Sequence, residues 1–125
     1  MAPEEQIMLD RVGVATASVA DQKNDSRQYK LESFAKCLNE KGYRMYSLFT
    51  CSHSRAQRKS FGSAFKYIQE IESNPSASNT QVERCLKNKI RKLPTWIQEV
   101  DGREQVRLEG CQLLEVLTAA SGCDY

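Results

Sequence analysis

From Leu31 onward, apolar positions recur at helix and strand spacing. Leu31, Phe34, Ala35 and Leu38 fall at i, i+3, i+4 and i+7 and share one helix face, and Gly42 supplies a stop. Tyr43 to Phe49 is aromatic-rich and has the length of a strand. A second helical stripe follows at Phe61, Ala64, Phe65 and Ile68, and Tyr67 to Ile71 predicts a short buried strand after it. Ser73 to Asn79 is loop chemistry, and Thr80-Gln81-Val82-Glu83 has the form of a capping box opening a helix over Val82, Cys85 and Leu86. A strand begins at Leu93-Pro94-Thr95-Trp96-Ile97. Asp101-Gly102 marks a two-residue hairpin, and Gln105 to Leu108 returns as the partner strand. Gly110 breaks the chain before a last helix with Leu113, Leu114, Val116, Leu117 and Ala120, stopped by Gly122. The predicted order is α, β, α, β, α, β, β, α. The early βαβ unit implies a right-handed crossover with parallel strands, and the hairpin implies an antiparallel pair. The expected class is α/β: a mixed four-stranded sheet covered by helices.

Residues 1–30 read differently. The apolar residues Ile7, Met8, Leu9, Val12 and Val14 thin out into polar chain between Ala20 and Ser26, with Tyr29 the one aromatic. Such a segment buries too little apolar area to offset its ordering entropy. It is expected to be a flexible tail or linker, with residues 31–125 as the domain; docking of Ile7 to Val14 on that domain is the alternative. Glu4 and Glu5 stand where a signal peptide needs positive charge, and the apolar run is short, so no signal peptide is expected.

Composition narrows the classes. The 125 residues carry 40% hydrophobic and 27% charged side chains, ordinary for one soluble globular domain. No apolar run approaches the roughly 18 residues that span a bilayer, so no membrane segment is expected. A net charge of +2 does not argue for nucleic acid. Five bases between Arg84 and Lys92, together with Arg55, Arg58 and Lys59, predict either a solvated face or a basic rim that attracts acidic partners, and the lack of interleaved aromatics argues against single-stranded nucleic acid. The five cysteines, at 37, 51, 85, 111 and 123, are odd in number, so one stays free or pairs outside the chain. They contain no Cys-x-x-Cys, and only Cys51 and His53 sit close together, so no metal site and no cofactor are expected. The core is expected to suffice without disulfide staples, with Cys37 and Cys85 near the apolar faces of their helices.

Four features in order resemble a thioredoxin-fold domain: a strand running into Cys51 at a helix start, Phe61-Gly62 with Phe65, Leu93-Pro94-Thr95, and a closing hairpin and helix with Leu108-Glu109-Gly110. More narrowly, Phe34-Ala35-Lys36-Cys37-Leu38, Met45-Tyr46, Cys51 with His53, Phe61-Gly62, Cys85 and Pro94-Thr95-Trp96 resemble the thioredoxin-like domain fused to vitamin K epoxide reductase homologues of cyanobacteria and plants. The resemblance covers about residues 31–122. It implies a thioredoxin-like fold, a cis proline at Pro94, and a reactive cysteine at Cys51. It also implies a cyanobacterial or plastid setting. Where active members carry Cys-Pro-His-Cys, this chain reads Cys51-Ser52-His53-Ser54, with Thr50 in a place usually aromatic. Two changes in one motif point to natural divergence rather than a single engineered replacement.

The altered motif sets the chemistry. At a helix start, unpaired N–H groups and the dipole favour a thiolate, and His53 or Arg55 would add to that, although His53 can equally be a plain exposed side chain. Ser54 cannot resolve a mixed disulfide, so the ordinary two-cysteine cycle is closed within this turn. An external thiol such as glutathione could release the adduct. Cys37, Cys85, Cys111 or Cys123 could do so only if one lies within about 7 Å, Cα to Cα. The expected function is a monothiol thiol-disulfide oxidoreductase-like or isomerase-like protein with Cys51, His53 and Ser54 as reactive site, Leu93, Pro94 and Thr95 as substrate-binding loop, and client thiols, disulfides or glutathione as partners. The alternative is a redox-inactive binding module that takes extended peptide at Leu93 by strand addition. An iron–sulfur or glutathione carrier resembling monothiol glutaredoxins is disfavoured by Lys92-Leu93-Pro94 and Ser52-His53. Trp96 is expected to be packing.

Overall fold

In the computed structural model, which describes residues 26–125, the stripe of Leu31, Phe34, Ala35 and Leu38 lies on a helix, α1, over residues 26–40. Phe34, Ala35 and Leu38 are fully buried. The helix gives way at Gly42, whose φ of +90° suits glycine, and where any Cβ would meet the Glu99 carbonyl oxygen. That approach lets the chain enter β1, Tyr43–Ser47, directly beside β3, Thr95–Val100. The flexible tail expected over residues 1–30 is corrected at its end, since residues 26–30 are helical and open α1; its remainder, residues 1–25, lies outside the described residues.

β1 pairs in parallel with β2, Gln69–Glu72, and antiparallel with β3, which pairs antiparallel with β4, Arg103–Glu109. The sheet order is β2-β1-β3-β4. This is the mixed four-stranded sheet of the expected α/β class, in the thioredoxin-like order. The β1-to-β2 connection is α2, Ser52–Phe61, continued by a 3₁₀ turn over Gly62–Tyr67. α3, Val82–Lys87, lies between β2 and β3, and α4, Leu114–Ser121, closes the chain. At the hairpin, Asp101 and Gly102 both take positive φ, 52° and 74°, which matches the twist of the flanking strands.

Alternation along the strands divides the core between two faces. Tyr43, Met45 and Trp96 face Phe34, Leu38, Phe61, Ala64 and Leu117, where α1, α2 and α4 supply the cover. Tyr46 and Ile97 face Ile71, Cys85 and Ile90 on the other side. There the Tyr46 hydroxyl donates to Glu99 (2.9 Å), and Arg84 donates to both Glu99 (2.9 Å) and the Tyr46 hydroxyl (3.2 Å). Burial and the Glu99 carboxylate push the Tyr46 hydroxyl up to about 12.

Several local expectations are corrected. Phe61 to Ile68 is not one helix: Gly62, at φ 58° and ψ −139°, ends α2 and the chain tightens into 3₁₀. The capping box does not form. Thr80 is drawn into a bridge with Glu72, the Gln81 N–H bonds the Glu72 carbonyl (2.8 Å), and Gln81 becomes the cap without a side-chain bond. The core is also stapled. Cys37 and Cys123 form a disulfide across 86 residues, with Cα atoms 5.9 Å apart, so Cys37 is not a free core thiol. Lys41 Nζ donates to the Ser121 carbonyl (2.7 Å) and the Tyr43 hydroxyl to the Ala120 carbonyl (3.1 Å), joining α4 to the end of α1 and to the start of β1 beside that bridge.

Candidate functional site

The site is built where β1 runs out. Past Ser47 the loop turns under a buried carboxylate: Glu72 accepts the Phe49 N–H (3.1 Å) and the Asn74 N–H (3.0 Å). The Cys51 N–H bonds the Leu48 carbonyl (2.9 Å), and the Leu48 N–H donates to Ser54 Oγ (3.3 Å). Cys51 itself is extended, at φ −76° and ψ 129°, while its carbonyl accepts the Arg55 N–H (3.0 Å). It is therefore the N-cap of α2, where main-chain N–H groups lack helical partners.

The Cys51 thiol is half-buried and donates to the Leu93 carbonyl at 3.8 Å. Its pKa is lowered, first by the Ser54 backbone N–H, and further by the His53 backbone N–H, the Ser54 hydroxyl and the Arg55 charge, against a partial-burial penalty. Ser54, fully buried, thus acts as a donor to the sulfur through both its N–H and its hydroxyl. His53 acts on the sulfur through its main chain, where the sequence suggested its imidazole.

Opposite Cys51 lies the loop from Lys92 to Thr95. The Leu93–Pro94 peptide is cis. Thr95 Oγ1 donates to the Lys92 carbonyl (2.6 Å), and the Pro94 carbonyl accepts the Gly110 N–H (2.8 Å). Pro94 and Thr95 are fully buried, so Leu93 is the member of this trio with surface to offer a ligand. His53, Lys92, Leu93, Gly110 and Cys111 line a cavity of about 510 Å³. The structure thus brings Cys51, His53 and Leu93 to one place, with Ser54, Pro94 and Thr95 as supports beneath it.

One residue of this region, Gln57, carried no chemistry in the sequence reading, and another, Cys111, entered it only as one of four candidate resolving thiols. Gln57 is fully buried on α2: its Oε1 accepts Trp96 Nε1 (3.0 Å) and the Gln112 N–H (2.6 Å), and its Nε2 donates to the Gln112 carbonyl (3.0 Å). The available signal was an amide at the i+3 position from Ser54 and i−4 from Phe61, on the helix's buried face. Cys111, one of the four cysteines weighed as resolving thiols, is an exposed free thiol on the cavity wall, and nothing in its spacing set it apart from the other three. Trp96 is core, as expected, with its indole N–H satisfied by Gln57.

Three of the eight bases of the expected rim are paired with carboxylates. Arg58 pairs with Glu70, Arg84 with Glu99, and Arg91 with Glu109. Lys92 on the cavity and Arg55 near the sulfur are the bases of that set which bear on the site. No helix among the described residues is long and apolar enough to cross a membrane.

The chain is similar to the solved X-ray structure of Fasciola hepatica thioredoxin, with 16% sequence identity and a TM-score of 0.48, over 70% of this chain and 88% of that chain. No protein-family model matches the chain.

Proposed function

We propose that this chain performs thiol–disulfide exchange through Cys51. The observation that carries the reading is the Cys51 sulfur at the cap of α2, favoured as thiolate by the Ser54 and His53 N–H groups and facing the Leu93 carbonyl. The thiolate attacks a client disulfide, forms a mixed disulfide and expels the client's other thiolate. Ser54 cannot resolve that adduct, so within the Cys51-to-Ser54 turn the protein is monothiol and oxidoreductase-like or isomerase-like. Leu93, held by the turn that Pro94 and Thr95 build, offers main chain to an extended client beside the sulfur. Client thiols, disulfides or glutathione are the partners this chemistry fits. The resemblance to domains fused to vitamin K epoxide reductase homologues, and the cyanobacterial or plastid setting it implies, belong to the same proposal. The Cys37–Cys123 disulfide is in keeping with an oxidising compartment.

The test is the rate of Cys51 alkylation against pH, followed by peptide mapping. The expected midpoint lies below the ordinary thiol value of about 8.5; a midpoint at or above it overturns the reading. The second reading, a redox-inactive module binding extended peptide at Leu93, is favoured by the 510 Å³ cavity beside that residue. It predicts partner capture that survives Cys51→Ala, where the first predicts reducible complexes that this variant loses.

A further inference from the structure

We propose that Cys111 is the resolving thiol of the Cys51 site, standing in from another loop for the cysteine that Ser54 replaces. The proposal rests on the reading of Cys51 as an exchanging thiol, and it changes how the adduct is released. Of the four cysteines that could resolve it, two are spent on each other in the Cys37–Cys123 disulfide. Cys85 is buried on the far face of the sheet among Tyr46, Ile71 and Ile97, with its sulfur 2.6 Å from Ser73 Oγ. Cys111 alone of the four is both free and exposed. It shares the wall of one cavity with His53, two residues beyond Cys51, and with Leu93, whose carbonyl meets the Cys51 thiol.

Its position is held from both sides. Before it, the Gly110 N–H is tied to the Pro94 carbonyl (2.8 Å), beside the residue that Cys51 touches. After it, Gln112 is gripped at both its N–H and its carbonyl by Gln57, from the same helix that Cys51 caps. The Gln112 side chain closes the turn on the carbonyls of Glu109 (3.0 Å) and Gly110 (3.1 Å). A short segment pinned to the Leu93–Pro94 loop on one side and to α2 on the other carries its one thiol at the junction of the two elements that frame Cys51. Partial burial of its sulfur raises the Cys111 pKa where the Cys51 pKa is lowered, so Cys51 is the more readily ionised of the two for the first attack.

The exchange balances. The Cys51 thiolate attacks a client disulfide, one client sulfur becomes bonded to Cys51, and the other leaves as a thiolate that takes up a proton. Cys111 then gives up its proton and attacks the Cys51 sulfur as a thiolate. The Cys51–Cys111 bond forms, the Cys51–client bond breaks, and the proton of Cys111 leaves with the second client thiol. The client disulfide gains two electrons, the two cysteines lose them, and a low-molecular-weight or protein thiol reductant resets the pair.

The experiment treats the natively reduced full chain and its Cys111→Ser variant with oxidised glutathione, then traps free thiols and maps peptides by mass spectrometry. The expected result is a Cys51–Cys111 cross-link with little glutathione adduct in the parent protein. In Cys111→Ser the adduct accumulates on Cys51 and its glutathione is released about tenfold more slowly or worse. Equal accumulation and equal release in the two proteins, with no cross-link, overturns the role of Cys111 and leaves Cys51 as a monothiol. Failure of Cys51 to take up glutathione in either protein overturns both readings together. Because Cys111 is exposed, the serine variant is expected to fold as the parent does, and an unchanged Cys37–Cys123 peptide checks this.

Discussion

At one place in this molecule, Cys37 on α1 and Cys123 after α4 are joined, and Cys123 is almost wholly buried against the aromatic core. At another, two thiols are free: Cys51 caps α2 and touches the Leu93 carbonyl, and Cys111, following β4, lies on the cavity wall that Leu93 shares. The element is the same and the surroundings differ. Around the first pair, packing and hydrogen bonds from Lys41 and Tyr43 hold the end of α4 to the α1–β1 junction, so the bond acts as a clasp. Around the second, N–H groups favour a thiolate on Cys51, while partial burial of the sulfur favours a proton on Cys111. Burial and polar neighbours, more than spacing along the chain, separate a structural sulfur from a reactive one.

The sharpest way to break this comparison is to open the clasp. A link across 86 residues removes much chain entropy from the unfolded state, so Cys37→Ser is expected to cost about 4 kcal/mol and lower Tm by about 15 °C or more. Thermal unfolding with and without reductant checks it, since reduction should bring the parent protein down to the variant. Cys51 alkylation at a temperature where the variant is folded should be unchanged. A variant that loses Cys51 reactivity while still folded would show that the two regions are not separate.

Gln57 joins the regions and gives the next largest effect. Gln57→Ala leaves the Trp96 indole N–H and both main-chain groups of Gln112 without their partner. A cost of about 2–4 kcal/mol follows by denaturant unfolding, from unsatisfied polar groups and the hole left behind. Cys111 should then label faster with a thiol reagent, because its loop has lost the grip from α2. Unchanged Cys111 labelling in a destabilised variant would confine Gln57 to the core.

Legibility in the sequence followed the range of the interaction. The α1 stripe, the Asp101-Gly102 hairpin and the final helix with its Gly122 stop were readable because each is decided within about ten residues. The α/β class followed from their order. The break at Gly62 was not readable, since the stripe through Phe65 and Ile68 continues across it and only the φ of one residue ends the helix. The Thr80 box was misread because a neighbouring strand outcompeted it: Glu72 holds Thr80 and Gln81 in a bridge before the side-chain cap can form. Of the site, Cys51 and the Leu93-Pro94-Thr95 loop were legible through resemblance. The Cys37–Cys123 bond, the grip of Gln57 on Gln112 and the place of Cys111 were not, because each joins segments that only the tertiary fold brings together.

The finest test of the comparison is at Ser54, whose N–H and hydroxyl both support the Cys51 sulfur. Ser54→Ala deletes the hydroxyl that favours the Cys51 thiolate but keeps the Ser54 backbone N–H, the largest cause of the lowered pKa. The midpoint of Cys51 alkylation should therefore rise towards the ordinary thiol value without reaching it. The variant also removes the acceptor of the Leu48 N–H (3.3 Å), at a cost of about 1 kcal/mol. Because folding lowers the Cys51 pKa, the unfolded chain binds more protons between the folded and unfolded values. The stability linked to this group is full above the unfolded thiol pKa and is lost as pH falls through the folded one. Denaturant unfolding of the parent protein and Cys51→Ser across that window should differ more at its alkaline end. In Ser54→Ala that pH-dependent difference should shrink. A difference that instead grew on acidification would mean that the fold holds the Cys51 sulfur as a protonated thiol, making it a second structural cysteine and removing the contrast with the clasp.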